Sequence, residues 1–398
     1  MAFSIGIIGA GEFAEQFVPL FQLHPDISDV AIADLIPERR EDYAKRFGIE
    51  RVFASADEMF NSDLDAVGIF TQRWTHGELA VKALRAGKHV YSAVPMAYST
   101  TEIGQIIAEV RRSGLVYMMG ETSYYNPAAI YGRQRQQDGG FGRLFYAEGD
   151  YVHDMDHGFY TAFQRGGGEN WRGTASYPPM HYPTHSLGGV LSVTQDPITS
   201  VSCLGVEDDH PDGIFNRELS IFGNSFSNQT ALFQTKSGGA VRINEMRRVG
   251  YPTHIRESRF RFFGTEAVFE QTARVSAWQT KHTYEDVSDL LQVRPTAQLT
   301  AERAAVFAAD VKRVFLGGYS PLHDRSRLPQ GYDAIPNGHE GSHHFLAADF
   351  VEAVITRTMP SVNAWVAARF TVPGILAHDS SLAGGERLMV PDFGDAPV

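Results

Sequence analysis

The chain of 398 residues has a single cysteine, Cys203, which excludes an intrachain disulfide. Set between Val201 and Leu204 in an apolar run, its thiol reads as a small buried hydrophobe. A nucleophilic thiol would need a neighbouring histidine that spacing alone cannot supply. No run of about 18 apolar residues occurs, which excludes a membrane-spanning helix. The first residues lack a charged stretch followed by an apolar core, so a cytoplasmic location is expected. Positive charge is also short. Against 47 Asp and Glu stand 35 Lys and Arg, a formal net charge of −12. That balance argues against nucleic acid or an anionic membrane as a partner, although a pocket can still be locally basic. Internal repeats, low-complexity tracts and flexible linkers are missing too.

What is present suits a soluble protein with its own large core: 43% hydrophobic and 21% charged residues. The length favours two domains. Residues 3–8 read as a buried strand. Phe17, Val18, Leu20 and Phe21 follow at helical spacing. Further strands are expected at 30–33, 51–53, 66–71, 89–92 and 116–120, with helices at 37–47, 79–86 and 103–113 between them. Strands alternating with helices predict a doubly wound parallel sheet. After residue 125 the rhythm changes. One helix (128–137) precedes long strands at 144–152, 198–205, 230–235, 240–247 and 259–263, which predict an α+β domain on a mostly antiparallel open sheet. Residues 345–356 have amphipathic helical spacing. The segment 154–183, rich in His, Gly, Tyr and Trp, reads as a long irregular loop of the kind that often carries function.

Gly9-Ala10-Gly11-Glu12-Phe13-Ala14 leaves a strand and opens a helix. The first glycine allows the tight turn, the second lets the backbone approach a pyrophosphate, and Ala14 stays small for helix–strand packing. Amide groups at the helix start can face phosphate. Asp34, 23 residues after Gly11, suits the adenosine ribose hydroxyls. A carboxylate there repels a 2′-phosphate, so the expected cofactor is NAD rather than its phosphorylated form. Arg39 and Arg40 read as a solvated helix face.

Several stretches make the chain resemble the glucose–fructose oxidoreductase / inositol dehydrogenase (Gfo/Idh/MocA) family. They are Gly9-Ala-Gly11 with Asp34, Asp65–Thr71 with His76, Ala86–Pro95, Gly139–Gly142, Trp171-Arg172 and Ser380–Pro391. The resemblance implies a Rossmann NAD domain at 1–125 and a substrate domain at 126–345, whose open sheet mediates a dimer or tetramer. It also implies a C-terminal segment, 346–398, that packs back on the Rossmann domain. The cofactor set then comprises Gly9, Gly11, Glu12, Phe13, Asp34, Thr71, His76, Pro95 and Glu121. The family carries Glu-Lys-Pro after its fifth strand, where the lysine moves a proton. Here the residues are Ala93-Val94-Pro95, and valine cannot relay a proton. The family's Asp and His, four residues apart in the second domain, correspond to His181 and His185.

Oxidising an alcohol with NAD needs a base for the hydroxyl proton. With the lysine gone, another residue must act, or the net reaction must differ. Tyr182–Gly188 resembles the matching run of the family's NAD-dependent glycosidases. The resemblance implies transient oxidation at sugar C3, loss of the C2 proton, expulsion of the aglycone, addition of water and re-reduction. Histidine can serve either half of that acid–base work, which makes His185 the first candidate catalyst and His181 the second. Tyr182 and Tyr124 follow. Tyr125, His153, Asp154, Trp171 and Arg172 are candidate substrate contacts. Arg165, Arg247 and Arg248, with Arg172, leave an anionic glycoside such as a sulfoquinovoside in play. The mixture of His153, Asp154, Asp156 and His157 suits sugar binding or proton transfer better than metal, and no metal is expected. His339, His343 and His344 read as capping or surface residues. The alternatives are a net sugar or cyclitol dehydrogenase and a non-enzymatic NAD- or sugar-binding protein.

Overall fold

Phe3–Ile8 (β1) is buried at five of its six positions. That fits a parallel strand covered on both faces. The computed structural model describes residues 2–252, 256–294 and 317–397. It resolves two units, 1–126 with 292–368 and 393–398, and 127–291 with 369–392.

In the first unit β1 is joined by Ile27–Ala33 (β2), Arg51–Phe53 (β3), Ala66–Ile69 (β4), His89–Ser92 (β5) and Tyr117–Met119 (β6). Their order is β3-β2-β1-β4-β5-β6, with every pair parallel. The reversal of strand order beside β1 is the doubly wound arrangement, which opens a crevice at the carboxyl ends of the strands. Local chemistry sets the helices. Ser99 caps Thr100–Ser113 through a reciprocal box with Glu102, and left-handed Gly114 ends it. Gly48 ends Pro37–Phe47 in the same way. The helix His343–Thr356 places Leu346, Phe350 and Val351 in the core that also holds Phe3, Phe17 and Tyr91.

The second unit carries nine strands: Leu144–Val152 (β7), Ile198–Glu207 (β8), Phe226–Thr235 (β9), Ala240–Met246 (β10), Ser258–Gly264 (β11), Ala267–Gln271 (β12), Ser276–Thr280 (β13), Tyr284–Asp286 (β14) and Leu388–Met389 (β15). The order is β14-β13-β12-β11-β7-β10-β9-β8-β15. Among the described residues only β7 and β10 of this sheet pair in parallel. The mostly antiparallel open sheet is therefore present, with one parallel pair at its centre.

Three expectations are corrected. The boundary at 345/346 is not where the units divide, because 292–368 packs into the first unit and 369–392, with β15 on β8, belongs to the second. Segment 154–183 is not an irregular loop but a chain of short helices, chiefly Phe159–Gly167 and Trp171–Ala175. Glycine-rich local sequence hid their periodicity. His343 and His344 are fully buried, not on the surface. His343 lies 4.7 Å from the Phe17 ring, and the His344 ring contacts Tyr319 and Tyr332.

Candidate active site

The cradle of the first unit is made of backbone. Gly9 has φ +99°, and a methyl group there would stand 2.7 Å from the Phe70 carbonyl oxygen, so glycine is required twice over. Around Gly11 nothing lies within 4 Å of where a methyl would project. That open space is what a pyrophosphate needs beside the backbone. Asp34 closes the loop: its Oδ2 accepts from Ala10 N at 2.8 Å and its Oδ1 from Ile36 N at 2.8 Å. A carboxylate offers about four lone-pair sites, so two remain for ribose hydroxyls. Tyr43 donates to the Gly11 carbonyl from below. The turn Ala14–Gln16 is 3-10, and the α-helix runs from Val18 to Leu23. The residues present fit NAD.

The other cofactor candidates divide. Glu12 lies half-buried in the loop itself. Phe13 packs against Phe17, Phe70, His339 and His343, which anchors the loop. Thr71 Oγ1 sits 2.7 Å from Thr75 Oγ1. His76 is corrected from ligand to clamp. Its buried ring lies between the carbonyls of Pro95 (2.9 Å) and Thr71 (3.1 Å), and burial lowers its pKa. Pro95 follows a cis peptide from Val94. Glu121 is buried, and its Oε1 accepts from Ser123 N at 2.7 Å, shaping the turn after β6. Tyr124 is half-buried beside Tyr125, with ring centroids 5.2 Å apart. Tyr125 is corrected as a substrate contact: its hydroxyl donates to Asp349 and accepts from Arg327 at 2.8 Å, and its ring stacks on Phe345.

The second unit gathers side chains. Gly149 on β7 lets the Ser186 carbonyl approach, since a methyl there would lie 2.7 Å from it, and Gly189 admits the Phe260 ring. The turn Pro183–His185 is thereby pressed against the sheet. His185 is buried, with Nε2 3.2 Å from the Tyr182 hydroxyl and its ring 4.8 Å from Tyr151. Tyr151, at the inner face of β7, reaches His153 Nδ1 at 2.6 Å. His153 Nε2 faces the His157 carbonyl at 3.1 Å. A carbonyl only accepts, so Nε2 carries the ring proton and Nδ1 accepts from Tyr151. A proton passed to Nδ1 meets the Glu257 carboxylate 3.2 Å away. Tyr151 is thus a phenol poised over a base, and sequence reasoning missed it.

His153, expected to touch substrate, instead serves Tyr151 and stacks on Phe159 at 3.9 Å. Asp154 is corrected: both oxygens go to backbone amides, of Asp156 (3.0 Å) and Val249 (2.6 Å), so it shapes the loop. His181 does not share the setting of His185. Its ring packs on Tyr177 and His378, and burial together with His378 holds its pKa well below the ordinary value. A group held neutral so firmly is a poor proton carrier at working pH. Trp171 is half-buried, and the Arg172 guanidinium lies 4.7 Å over its ring. Among the described residues no group of three His, Cys, Asp or Glu could hold a metal.

Glu245 was also missed. It follows Val241 and Ile243 on the inward face of β10, so period-two alternation carries a readable signal. Its carboxylate is completely buried, accepts from Ser186 Oγ and lies 2.9 Å from Arg247. Burial raises its pKa to about 7, against the opposing pull of Arg247, Ser186 and His185.

Residues 3–121 match the oxidoreductase family with an NAD-binding Rossmann fold. That segment is similar to a Gfo/Idh/MocA domain. Across the whole chain the fold is also that of solved sugar and inositol dehydrogenases. Levoglucosan dehydrogenase in complex with NADH and levoglucosan superposes with TM-score 0.72 at 16% identity, covering 99% of this chain and 100% of that one. Scyllo-inositol dehydrogenase from Lactobacillus casei superposes with TM-score 0.69 at 16% identity, covering 98% and 99%. Such identity speaks to fold alone. Among curated relatives, a glycosyl hydrolase family 109 protein 2 of Bacteroides fragilis (strain YCH46) is 33% identical over 135 residues, 33% of this chain and 32% of that protein. An alpha-N-acetylgalactosaminidase of another Bacteroides fragilis strain shows the same identity and coverage. A glycosyl hydrolase family 109 protein 2 of Shewanella sp. (strain ANA-3) is 27% identical over 264 residues, 60% of this chain and 57% of that protein. The matches span about a third to just over half the length of these relatives.

Proposed function

We propose that the chain is an NAD-dependent, redox-neutral glycoside hydrolase. The observation that carries this reading is the double Tyr–His arrangement of the second unit, Tyr151 on His153 and Tyr182 on His185. A simple alcohol oxidation needs one base. An elimination and readdition at a sugar needs protons moved at the C3 hydroxyl, at C2, at the leaving oxygen and on water. Two Tyr–His pairs supply that many groups, while Ala93 and Val94 supply none.

NAD, held by the Gly9–Gly11 loop and Asp34, supplies reversible hydride acceptance when bound. The remaining work falls to side chains. Tyr151 gives its proton to His153, and Glu257 stabilises the resulting imidazolium, so the phenolate is available as a base. His185 takes or returns a proton through Nε2, with Tyr182 as its exchange partner. His153 and Phe159 stack and keep the pair's ring plane fixed. The relatives named as glycosyl hydrolases and as an alpha-N-acetylgalactosaminidase support a glycoside substrate. Arg247 is neutralised by Glu245, and Arg248 by Asp208 and Asp212. Two of the four arginines that could read an anionic sugar are therefore spent, which favours an uncharged glycoside. We further propose a cytoplasmic homo-oligomer, supported by the exposed Leu204, Val206 and Leu232 on the open sheet.

The test is a panel of aryl glycosides in deuterated water, with α-N-acetylgalactosaminide and a sulfonated glycoside included. The expected result is aglycone release with deuterium at C2 of the product and no net NADH. Release without C2 deuterium overturns the proposal, as does stoichiometric NADH from a free sugar without aglycone release.

A further inference from the structure

The proton-handling pairs leave one buried ionisable group unused. Glu245 sits at the inner end of β10 with no solvent contact. Three elements face it. From the turn before the helix Leu187–Thr194 come the Ser186 hydroxyl, bonded to Oε1, and His185, within electrostatic range. From the end of β10 comes Arg247, 2.9 Å from Oε2 and itself buried. From β7 comes Tyr151, whose ring lies 4.9 Å from the Arg247 guanidinium on one side and 4.8 Å from the His185 ring on the other. Arg247 also lies 5.6 Å from the Phe159 ring, which in turn stacks on His153. One carboxylate thus touches, directly or through one neighbour, members of both Tyr–His pairs.

We propose that Glu245 is a positioning residue for the acid–base groups: through Ser186 it fixes the His185 turn, through Arg247 it fixes the Tyr151 ring, and it gives His185 an internal counter-charge whenever that ring takes a proton. The Glu245 oxygens are taken by Ser186 and Arg247, so the residue acts through its neighbours rather than on substrate. Two buried charges held this way cost desolvation that an apolar pair would avoid. A histidine that must gain and lose a proton away from water needs such a charge beside it. Desolvation draws Glu245 toward neutrality, and Arg247, Ser186 and His185 pull it back toward the anion.

The inference rests on reading His185 as an acid–base residue, and its experiment does not depend on turnover. The full chain is labelled with 15N-histidine, and the His185 ring is assigned by its loss in His185→Gln. The ring is then titrated by NMR in the NAD-bound protein. In Glu245→Gln the His185 titration is expected to move down by about one pH unit. In the glycoside assay the acidic limb of kcat is expected to move the same way, with KM within about twofold. If Glu245→Gln leaves Arg247 buried without a counter-ion and fails to fold, Ser186→Ala, which cuts the Glu245–Ser186 hydrogen bond and keeps both charges, is used instead and is expected to move the His185 titration. A His185 titration unchanged in a folded variant overturns the inference, even where glycoside cleavage is confirmed. A shifted titration in a protein that cleaves no glycoside keeps the coupling and overturns the proposed function instead.

Discussion

The cofactor cradle and the acid–base cluster solve different problems with different materials. The cradle uses backbone: two glycines, amides and one carboxylate, spread over the 26 positions from Gly9 to Asp34. The cluster uses side chains from four segments, Tyr151 on β7, Tyr182 and His185 on a turn, Glu245 and Arg247 at the end of β10, and Glu257 before β11. A phosphate binder needs room and amides, which local sequence can specify. Proton transfer needs several polar groups brought together without water, which only the tertiary fold can arrange.

That contrast can be broken by substitution. His185→Ala is expected to lower glycoside turnover by about 1,000-fold while NAD affinity stays within twofold. Turnover assays with fluorescence titration of NAD check both, and a parallel loss of NAD affinity would erase the division of labour. Gly9→Ala is expected to weaken NAD about 100-fold and also to lower Tm, because the added methyl strikes the Phe70 carbonyl in a left-handed backbone. Gly11→Ala separates the two effects: Tm stays within about 1 °C since the methyl enters open space, yet NAD weakens roughly tenfold.

The smallest effect concerns pH. Burial depresses His76, His181, His343, His344 (to about 3), His323 and His378 (both to about 4). Groups whose folded pKa lies below 6.5 add stability that is complete above that value and lost as pH falls toward the folded pKa. Glu245 works in the opposite direction. Its raised pKa gives stability that is full below about 4.5 and lost as pH rises through about 7. Four of the six histidines lie in the first unit. Between pH 7 and pH 5, Tm is expected to fall by roughly 5 °C, and hydrogen exchange should rise more in residues 317–368 than in 127–252. Equal rises would remove the asymmetry.

Legibility followed the same line. Gly9, Gly11 and Asp34 could be read because their partners are near in sequence, and Pro37–Phe47 because its ends carry Pro and Gly. Membership of 292–368 in the first unit could not be read, since it depends on packing against strands some 300 residues earlier. The helix Ala364–Leu382 went unseen because it is apolar with little periodicity and contains Pro373. Tyr125, Asp154 and His76 looked functional by type and position, but their polar atoms are consumed locally. Tyr151 and Glu245 looked ordinary because His185 and Arg247, which Tyr151 meets, and Ser186, which Glu245 meets, lie roughly 30 to 100 residues away in sequence.

Asp34 has a practical consequence. Cofactor exchange in Rossmann proteins is commonly attempted by replacing the ribose-reading acid with a neutral or basic residue. Here the same carboxylate fastens Ala10 N in the phosphate loop and Ile36 N in the turn after β2, so its removal frees both at once. An engineer seeking a phosphorylated dinucleotide must first supply another acceptor for those amides. Otherwise the redesign loses the old coenzyme without gaining the new one.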